Sequence, residues 1–236
     1  MHLFEQAHAY HRVWRYRLRT ERQEIAYLMR RELRGATVAD VGANKGIYSY
    51  WMHKAVGPGG NVVAFEPQPE LVAYLHALKA AWHLDRLTIV AAALSSSSGQ
   101  ARLVRPRIHW GAGSLELEPD ADRDAMTVPT TTLDEYFLPS RLRPLRFIKA
   151  DIQGHERACF VGGERLLRED RPTILCESED YGLEPIRAHL ASVGYDGFFF
   201  FRGQLTPLGE LAQLRSSIPA PYLNYVFLPQ KRAATT

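Results

Sequence analysis

Four apolar runs in the chain carry a carboxylate at or just before a turn. Thr37 to Val41 holds Asp40 ahead of Gly42, and Asn61 to Phe65 runs into Glu66. Phe147 to Ala150 runs into Asp151, and Thr173 to Cys176 runs into Glu177. Runs of this kind read as buried strands. In an open parallel sheet, ligands bind at the carboxyl ends of the strands. Four acids along that edge are costly unless they meet ligands. A row of this kind suits the binding of a cation, the recognition of hydroxyls and the removal of a proton.

The first acid belongs to a tighter pattern. Gly42-Ala43-Asn44-Lys45-Gly46 follows the strand and precedes a run from Ile47 that is able to be helical. Glycines let the backbone approach a ligand closely, and helix-start N–H groups add partial positive charge. A dinucleotide fingerprint would read G-x-G-x-x-G, but the spacing here is G-x-x-x-G, with Asn44 where the second glycine would stand. No G-K-[ST] follows, so a phosphate loop of the Walker kind is also missing. An acid followed by this turn suits a ligand with a cationic amino acid end, and D-x-G-x-x-x-G points to S-adenosylmethionine. Glu66 lies about 20 residues further on, where an acid binds ribose hydroxyls. The small residues Ala91 to Ala93 would line a flat adenine slot. A plain strand, turn and helix is the competing reading of the first motif, and a tight core turn that of the alanines.

These acids need an α/β frame. At 236 residues, 46% hydrophobic and 23% charged, the chain is long enough for one sizeable domain. A net charge of +3 is too small to argue for nucleic acid on its own. Cys159 and Cys176 sit in apolar runs and read as reduced core residues, which with no apolar leader and no bilayer-length run predicts a cytoplasmic, non-membrane protein. Residues 1–34 form an N-terminal helical segment, rich in Arg, His and aromatics. A capping box at Thr20 and Gln23 predicts a helix from Glu21 that stops near Gly35. That segment reads either as a surface helix packed on the core or as a lid over the substrate. Residues 35–229 form the main domain and 230–236 a frayed tail. Helices are expected at Leu71 to His83, Leu133 to Phe137 with Thr132 as cap, Glu156 to Arg168 and Tyr181 to Val193. Leu87 to Val90, Gly197 to Phe201 and Tyr222 to Leu228 complete the sheet. Residues 99–130 form an excursion with β segments at Ala101 to Val104 and Met126 to Thr131, and a loop at His109 to Ser114.

Taken in order, VADVGANKGIYS, VVAFEP, AALSSSSG, TTLDEYF, FIKADIQGHE, TILCES and LNYVFLP resemble the FkbM family of S-adenosylmethionine-dependent methyltransferases. The resemblance runs from about Val38 to Leu228. It implies a class I methyltransferase (Rossmann-like) fold: a seven-stranded, mainly parallel sheet with helices on both faces, here with an N-terminal helical extension. It implies methyl transfer, most often to a hydroxyl of a sugar, polyketide or other secondary metabolite. The cofactor set it suggests is Asp40, Gly42, Ala43, Asn44, Gly46, Tyr48, Ser49, Glu66, Pro67, Ala93 and Asp151. Where the family usually has Glu, this chain has Gln153.

A hydroxyl acceptor must lose its proton during attack, and an imidazole titrates near neutral pH. His155 is therefore the first candidate base and Asp151 the second, with His109 a weaker alternative. A helix-capping role competes for His155, and Lys149 reads as structural. Asp151, His155 and Glu177 offer a divalent-cation site as an alternative way to lower the acceptor pKa, but they lack tight metal-ligand spacing, so no metal is expected. The expected partner is a hydroxylated small molecule, and a homo-oligomer is compatible with the sequence. An RNA methyltransferase and a cofactor-binding module without turnover remain as alternatives.

Overall fold

The computed structural model describes residues 3–107, 112–120, 122–218 and 224–231. His109, the expected end of the tail and the start of the strand at Tyr222 lie outside the described residues. The chain opens with α1 (Leu3–Arg15), a π-helical turn (Tyr16–Thr20) and α2 (Arg22–Arg30). Next come β1 (Thr37–Val41), α3 (Ile47–Val56), β2 (Asn61–Phe65), α4 (Pro69–Ala81) and β3 (Leu87–Val90). The excursion contributes β4 (Ala93–Leu94), β5 (Gly99–Pro106) and β6 (Arg123–Thr131). The second half holds α5 (Leu133–Phe137), β7 (Leu145–Ala150), α6 (Glu156–Val161), α7 (Glu164–Asp170), β8 (Thr173–Glu177) and α8 (Asp180–Ser192). It closes with β9 (Tyr195–Phe201), β10 (Gln204–Pro207), α9 (Leu211–Leu214) and β11 (Asn224–Pro229).

The main sheet runs β10-β9-β11-β8-β7-β1-β2-β3. β3, β2, β1, β7 and β8 are mutually parallel, and β11 slots antiparallel between β8 and β9. The sheet has eight strands where seven are expected. The extra strand, β10, is too short and polar to announce itself. It forms because Arg202 and Gly203 both take positive φ, 49° and 80°, and fold the chain back on β9 as a two-residue hairpin. β4, β5 and β6 form a separate three-stranded sheet.

Two apolar layers sandwich the main sheet, and strand periodicity sorts residues between them. Ala39, Val63, Ile148 and Ile174 pack with Leu133, Phe160, Leu167 and Leu190 on the α5–α8 side. Val38, Val62, Phe147 and Leu175 pack with Ile25, Leu28, Met52 and Leu75 on the α1–α4 side. Cys159 and Cys176 are buried and unpaired in the first layer. Thr132 caps α5 as expected, its hydroxyl accepting from Glu135 N at 3.0 Å.

Two expected helices differ. The helix expected from Glu156 to Arg168 breaks at Gly162-Gly163, where Gly163 leaves the helical region at φ −124° and ψ 13°, and Gly162 packs so close to the Ser95 carbonyl oxygen that a Cβ would stand 2.1 Å from it. α2 has Glu21 rather than Thr20 as its N-cap, without a side-chain cap bond, and ends at Arg30. The preceding chain is helical too, and it packs. Ala9 and Val13 are buried, Trp14 meets Trp51 edge-on at 5.3 Å, and Trp51 Nε1 donates to Val13 O at 3.3 Å. Deleting residues 1–19 is expected to leave the eight-stranded sheet intact while lowering stability by about 2–4 kcal/mol, the loss of one buried Val with its neighbours. Urea unfolding followed by circular dichroism measures this; a truncated protein that never folds would make α1 indispensable core.

Candidate active site

Strand period and register gather the polar residues. Asp40 is the direct pairing partner of Lys149 across β1 and β7, and Glu177 lies two residues beyond Leu175 on β8. All three therefore sit on the α1–α4 face at the carboxyl edge of the sheet. Asp151 follows at the end of β7. The Lys149 ammonium, 1% exposed, lies 3.9 Å from Asp151 Oδ2 and 3.7 Å from Glu177 Oε2, over the Tyr48 ring at 5.1 Å. Burial alone would lower the Lys149 pKa, but the Asp151 and Glu177 charges outweigh it and hold the group above its ordinary value. One ammonium cannot neutralise two carboxylates. Burial, and then the charge of Asp151, pushes Glu177 up to about 7. Tyr48 OH donates to Glu21, which closes the cluster from the N-terminal segment.

These groups face a cleft of about 810 Å³ whose walls include Arg12, Arg15 and Tyr16 of the N-terminal segment, Ala43, Asn44 and Lys45 of the first turn, and Lys149, Asp151 and Glu177. Its charged lining holds Arg12, Arg15, Lys45 and Lys149 against Glu21, Asp40, Asp151 and Glu177, a balance to which a cationic ligand adds little repulsion. Asp40 is buried, accepts from Ser49 Oγ at 2.5 Å, and is raised to about 6 by burial in spite of that bond.

Beside the cleft lies a slot between the β1 and β2 turns and the excursion. It is lined by Glu66, Pro67, Gln68, Ala92, Ala93 and Leu94, with Leu103, Gly113, Ser114 and Leu115 opposite. Gly42 N and Ala43 N both donate to Phe65 O at 3.0 Å, which draws the two turns together. Glu66 receives Asn44 N at 2.9 Å on Oε2 and Gln68 N at 3.0 Å on Oε1. The Gln68 side chain also donates to this carboxylate, which is held in place by three donors. Burial raises Glu66 to about 7 in spite of these donors. The slot measures about 40 Å³, room for about one water.

The turn after β7 is built by its own sequence. Glu156, 1% exposed, accepts from Ile152 N at 2.9 Å and from Gly154 N at 3.1 Å, so it holds the loop rather than a ligand. Gly42 is required by this loop: a Cβ there would lie 2.0 Å from Asp151 O, and its φ is +79°. Gln153 Nε2 donates to Asp151 Oδ1 at 2.9 Å, where a glutamate would repel it.

Several expected site residues land elsewhere. His155 sits by the slot, not in the 810 Å³ cleft. Its Nδ1 meets Glu116 Oε1 at 2.5 Å and its Nε2 meets Ser95 Oγ at 2.9 Å, so both ring nitrogens are engaged. Asp151, His155 and Glu177 do not converge, and among the described residues no group of three acids, histidines or cysteines could hold a metal ion. Gly46 faces neither cavity. A Cβ there would meet Leu75 and Leu78 at 2.9 Å, so it packs α3 on α4. Ser49 is fully buried and serves Asp40. Lys149, Glu21, Gln68 and Ser114 were not read as site residues. A signal existed for Lys149: a parallel strand is covered on both faces, so a lysine within one must be paired.

The parallel strands with β11 inserted antiparallel between β8 and β9 give the sheet of a class I methyltransferase. The methyltransferase FkbM domain profile matches residues 40–196, and the chain belongs to that family. No curated protein sequence matches it significantly. Among solved structures, it resembles an FkbM methyltransferase from Methylobacillus flagellatus KT at 14% identity and TM-score 0.55, over 81% of this chain and 43% of that one. It resembles a SAM-dependent O-methyltransferase from Thermotoga maritima at 11% identity and TM-score 0.53, over 92% and 67% of the two chains. Fibrillarin from Aeropyrum pernix, with natively bound S-adenosyl-L-methionine, aligns at 11% identity and TM-score 0.52, over 87% and 73%. At these identities the likeness is one of fold. No helix among the described residues is long and apolar enough to cross a membrane.

Two outcomes follow from the raised carboxyls. Glu66→Ala is expected to weaken S-adenosylmethionine binding by about 1–3 kcal/mol, and native affinity is expected to fall as pH drops below about 7, where Glu66 takes up a proton. Titration calorimetry checks both, and tighter binding of NAD than of S-adenosylmethionine would refute the cofactor assignment. Asp40, Glu66 and Glu177 all hold protons more tightly folded than unfolded. The native state then binds more protons, so the ligand-free protein is expected to lose stability as pH rises from about 4 to about 7. Urea midpoints across that range measure the slope.

Proposed function

We propose that the protein methylates a hydroxyl oxygen of a small molecule, with the Asp151–Glu177 pair receiving the proton. The observation that carries this reading is the Glu177 carboxyl, raised to about 7 beside the Lys149 ammonium in the cleft. A general base works best with a pKa near the working pH. Bound S-adenosylmethionine supplies an already activated methyl group, so the remaining task is to place and deprotonate the acceptor. Glu66 would hold the ribose hydroxyls. Asp40 and Asp151 would face the methionine end. Lys149 keeps Asp151 and Glu177 in place and stops them repelling each other apart. His155, held at both ring nitrogens, fits a positioning role that ties the excursion to the β7 turn.

The acceptor path is also suggested by the walls. The 810 Å³ cleft shares Thr20, Glu21 and Glu177 with a second of about 900 Å³ between α2 and the β9–β10 hairpin. Tyr27, Phe200 and Phe201 line that second cleft, with Arg22 and Arg202 at its side. An elongated, partly apolar acceptor, such as a polyketide or a glycosylated metabolite, suits these walls. The N-terminal segment would then act as its collar, and the truncation lacking residues 1–19 should bind the cofactor yet turn over poorly.

The test begins with mass spectrometry of metabolites that co-purify with the protein and gain a methyl group on incubation. With an acceptor in hand, Glu177→Gln is expected to lower kcat by about 10²–10⁴-fold. The rise of native kcat with pH through about 7 should vanish in that variant. Asp151→Asn should impair both cofactor affinity and rate. His155→Ala should keep kcat within about tenfold and act mainly on cofactor affinity. If His155→Ala instead removed the pH dependence while Glu177→Gln kept it, the imidazole would be the base.

A further inference from the structure

We propose that the opposite edge of the sheet carries a second ligand site, one that takes a small anion bearing several phosphates. A groove of about 960 Å³ opens there, at the amino-terminal ends of β1, β7 and β8. Five arginines reach it from separate places: Arg30 and Arg31 at the end of α2, Arg34 before β1, Arg146 on β7 and Arg171 before β8. Glu32 is the only acid among its lining residues.

The charge is largely uncompensated. A sixth arginine, Arg143, is satisfied by Asp170 at 2.6 Å and Glu169 at 2.8 Å. None of the other five makes an ion pair among the described residues. Two are nevertheless held in place by neutral partners. Arg31 Nη2 donates to the hydroxyl of buried Thr173 at 3.1 Å and stacks over the Tyr27 ring at 5.5 Å. Arg171 donates to the Gln230 carbonyl. Its backbone is left-handed, with φ 55° and ψ 51°, at the C-terminal cap of α7 where glycine is the usual residue. A bulky side chain there is conformationally costly, and strain of this kind collects at binding sites.

The chemistry narrows the ligand. Every cation in the lining is arginine, whose planar fork pairs bidentately with phosphate or carboxylate oxygens. Convergence of five such forks on one groove calls for several anionic groups on one molecule. No Phe, Tyr or Trp lines the groove, so it lacks the stacking platform that single-stranded RNA or a nucleobase would use. Its concavity and its size, within the range of small-molecule sites, disfavour a flat lipid surface. A short polyphosphate or a sugar carrying several phosphates fits best.

Calorimetry with inorganic tripolyphosphate, in about 0.15 M salt to screen loose surface attraction, tests the proposal. The native protein should bind it saturably. Arg34→Glu/Arg146→Glu should raise Kd by about tenfold or more, the loss expected when a charge-assisted pair is removed, with the circular dichroism spectrum and S-adenosylmethionine affinity unchanged. Arg86→Glu/Arg157→Glu, which removes the same charge from exposed positions elsewhere, should bind as the native protein does. If the first double variant fails to fold, Arg34→Gln alone should still weaken binding. Equal loss in both double variants, absence of saturable binding, or preference for single-stranded RNA or phosphatidylserine vesicles over tripolyphosphate would overturn the proposal.

Discussion

A single buried ammonium organises the carboxyl edge of this sheet. Lys149 is 1% exposed, and Asp151 and Glu177 lie within 4 Å of it. Removing one partner from a buried ion pair typically costs about 3–5 kcal/mol, because the remaining charge is left uncompensated. Without Lys149, two partly buried carboxylates would face each other uncompensated. With it, they stay close, and burial together with the Asp151 charge raises Glu177. The same side chain lies over Tyr48, whose hydroxyl reaches Glu21, so the cluster joins the core strands to the N-terminal segment.

Around that cluster, close backbone contacts set the shape. The β1 and β7 turns approach so nearly that only a glycine fits at position 42. Phe65 O receives two N–H groups from the first turn, and Glu66 receives one from each side. Backbone donors thus fix a carboxylate before any ligand arrives, which lessens the ordering that binding would otherwise require. Glu156 does the equivalent for the β7 turn. Gln153 contributes an amide hydrogen bond to Asp151, so the departure from the family's usual glutamate removes one like charge from an already acidic edge.

The three central strands connect two edges of opposite character. β1 carries Thr37 near one end and Asp40 near the other, β7 carries Arg146 and Lys149, and β8 carries Thr173 and Glu177. At the carboxyl edge acids and a buried lysine surround the clefts; at the amino edge arginines dominate. The separation follows from the parallel arrangement, which sends every amino end one way and every carboxyl end the other.

Much of this was legible in the chain itself. Asp40, Glu66, Asp151 and Glu177 each end an apolar run, and a parallel sheet brings such ends to one edge whatever its details. The glycine turn, the Thr132 cap and the order of the family blocks are local features, so sequence alone determined the fold class and the cofactor. Distance along the chain hid the rest. His155 follows Asp151 closely, yet the helix start turns its ring toward Ser95 and Glu116, which lie 60 and 39 residues away. Lys149 reads as one polar residue in an apolar strand until β1 and β8 bring Asp40 and Glu177 beside it. The arginines of the groove are scattered over about 140 positions, and no local spacing unites them. Charge compensation and side-chain direction depend on which strands become neighbours, and only the tertiary structure decides that.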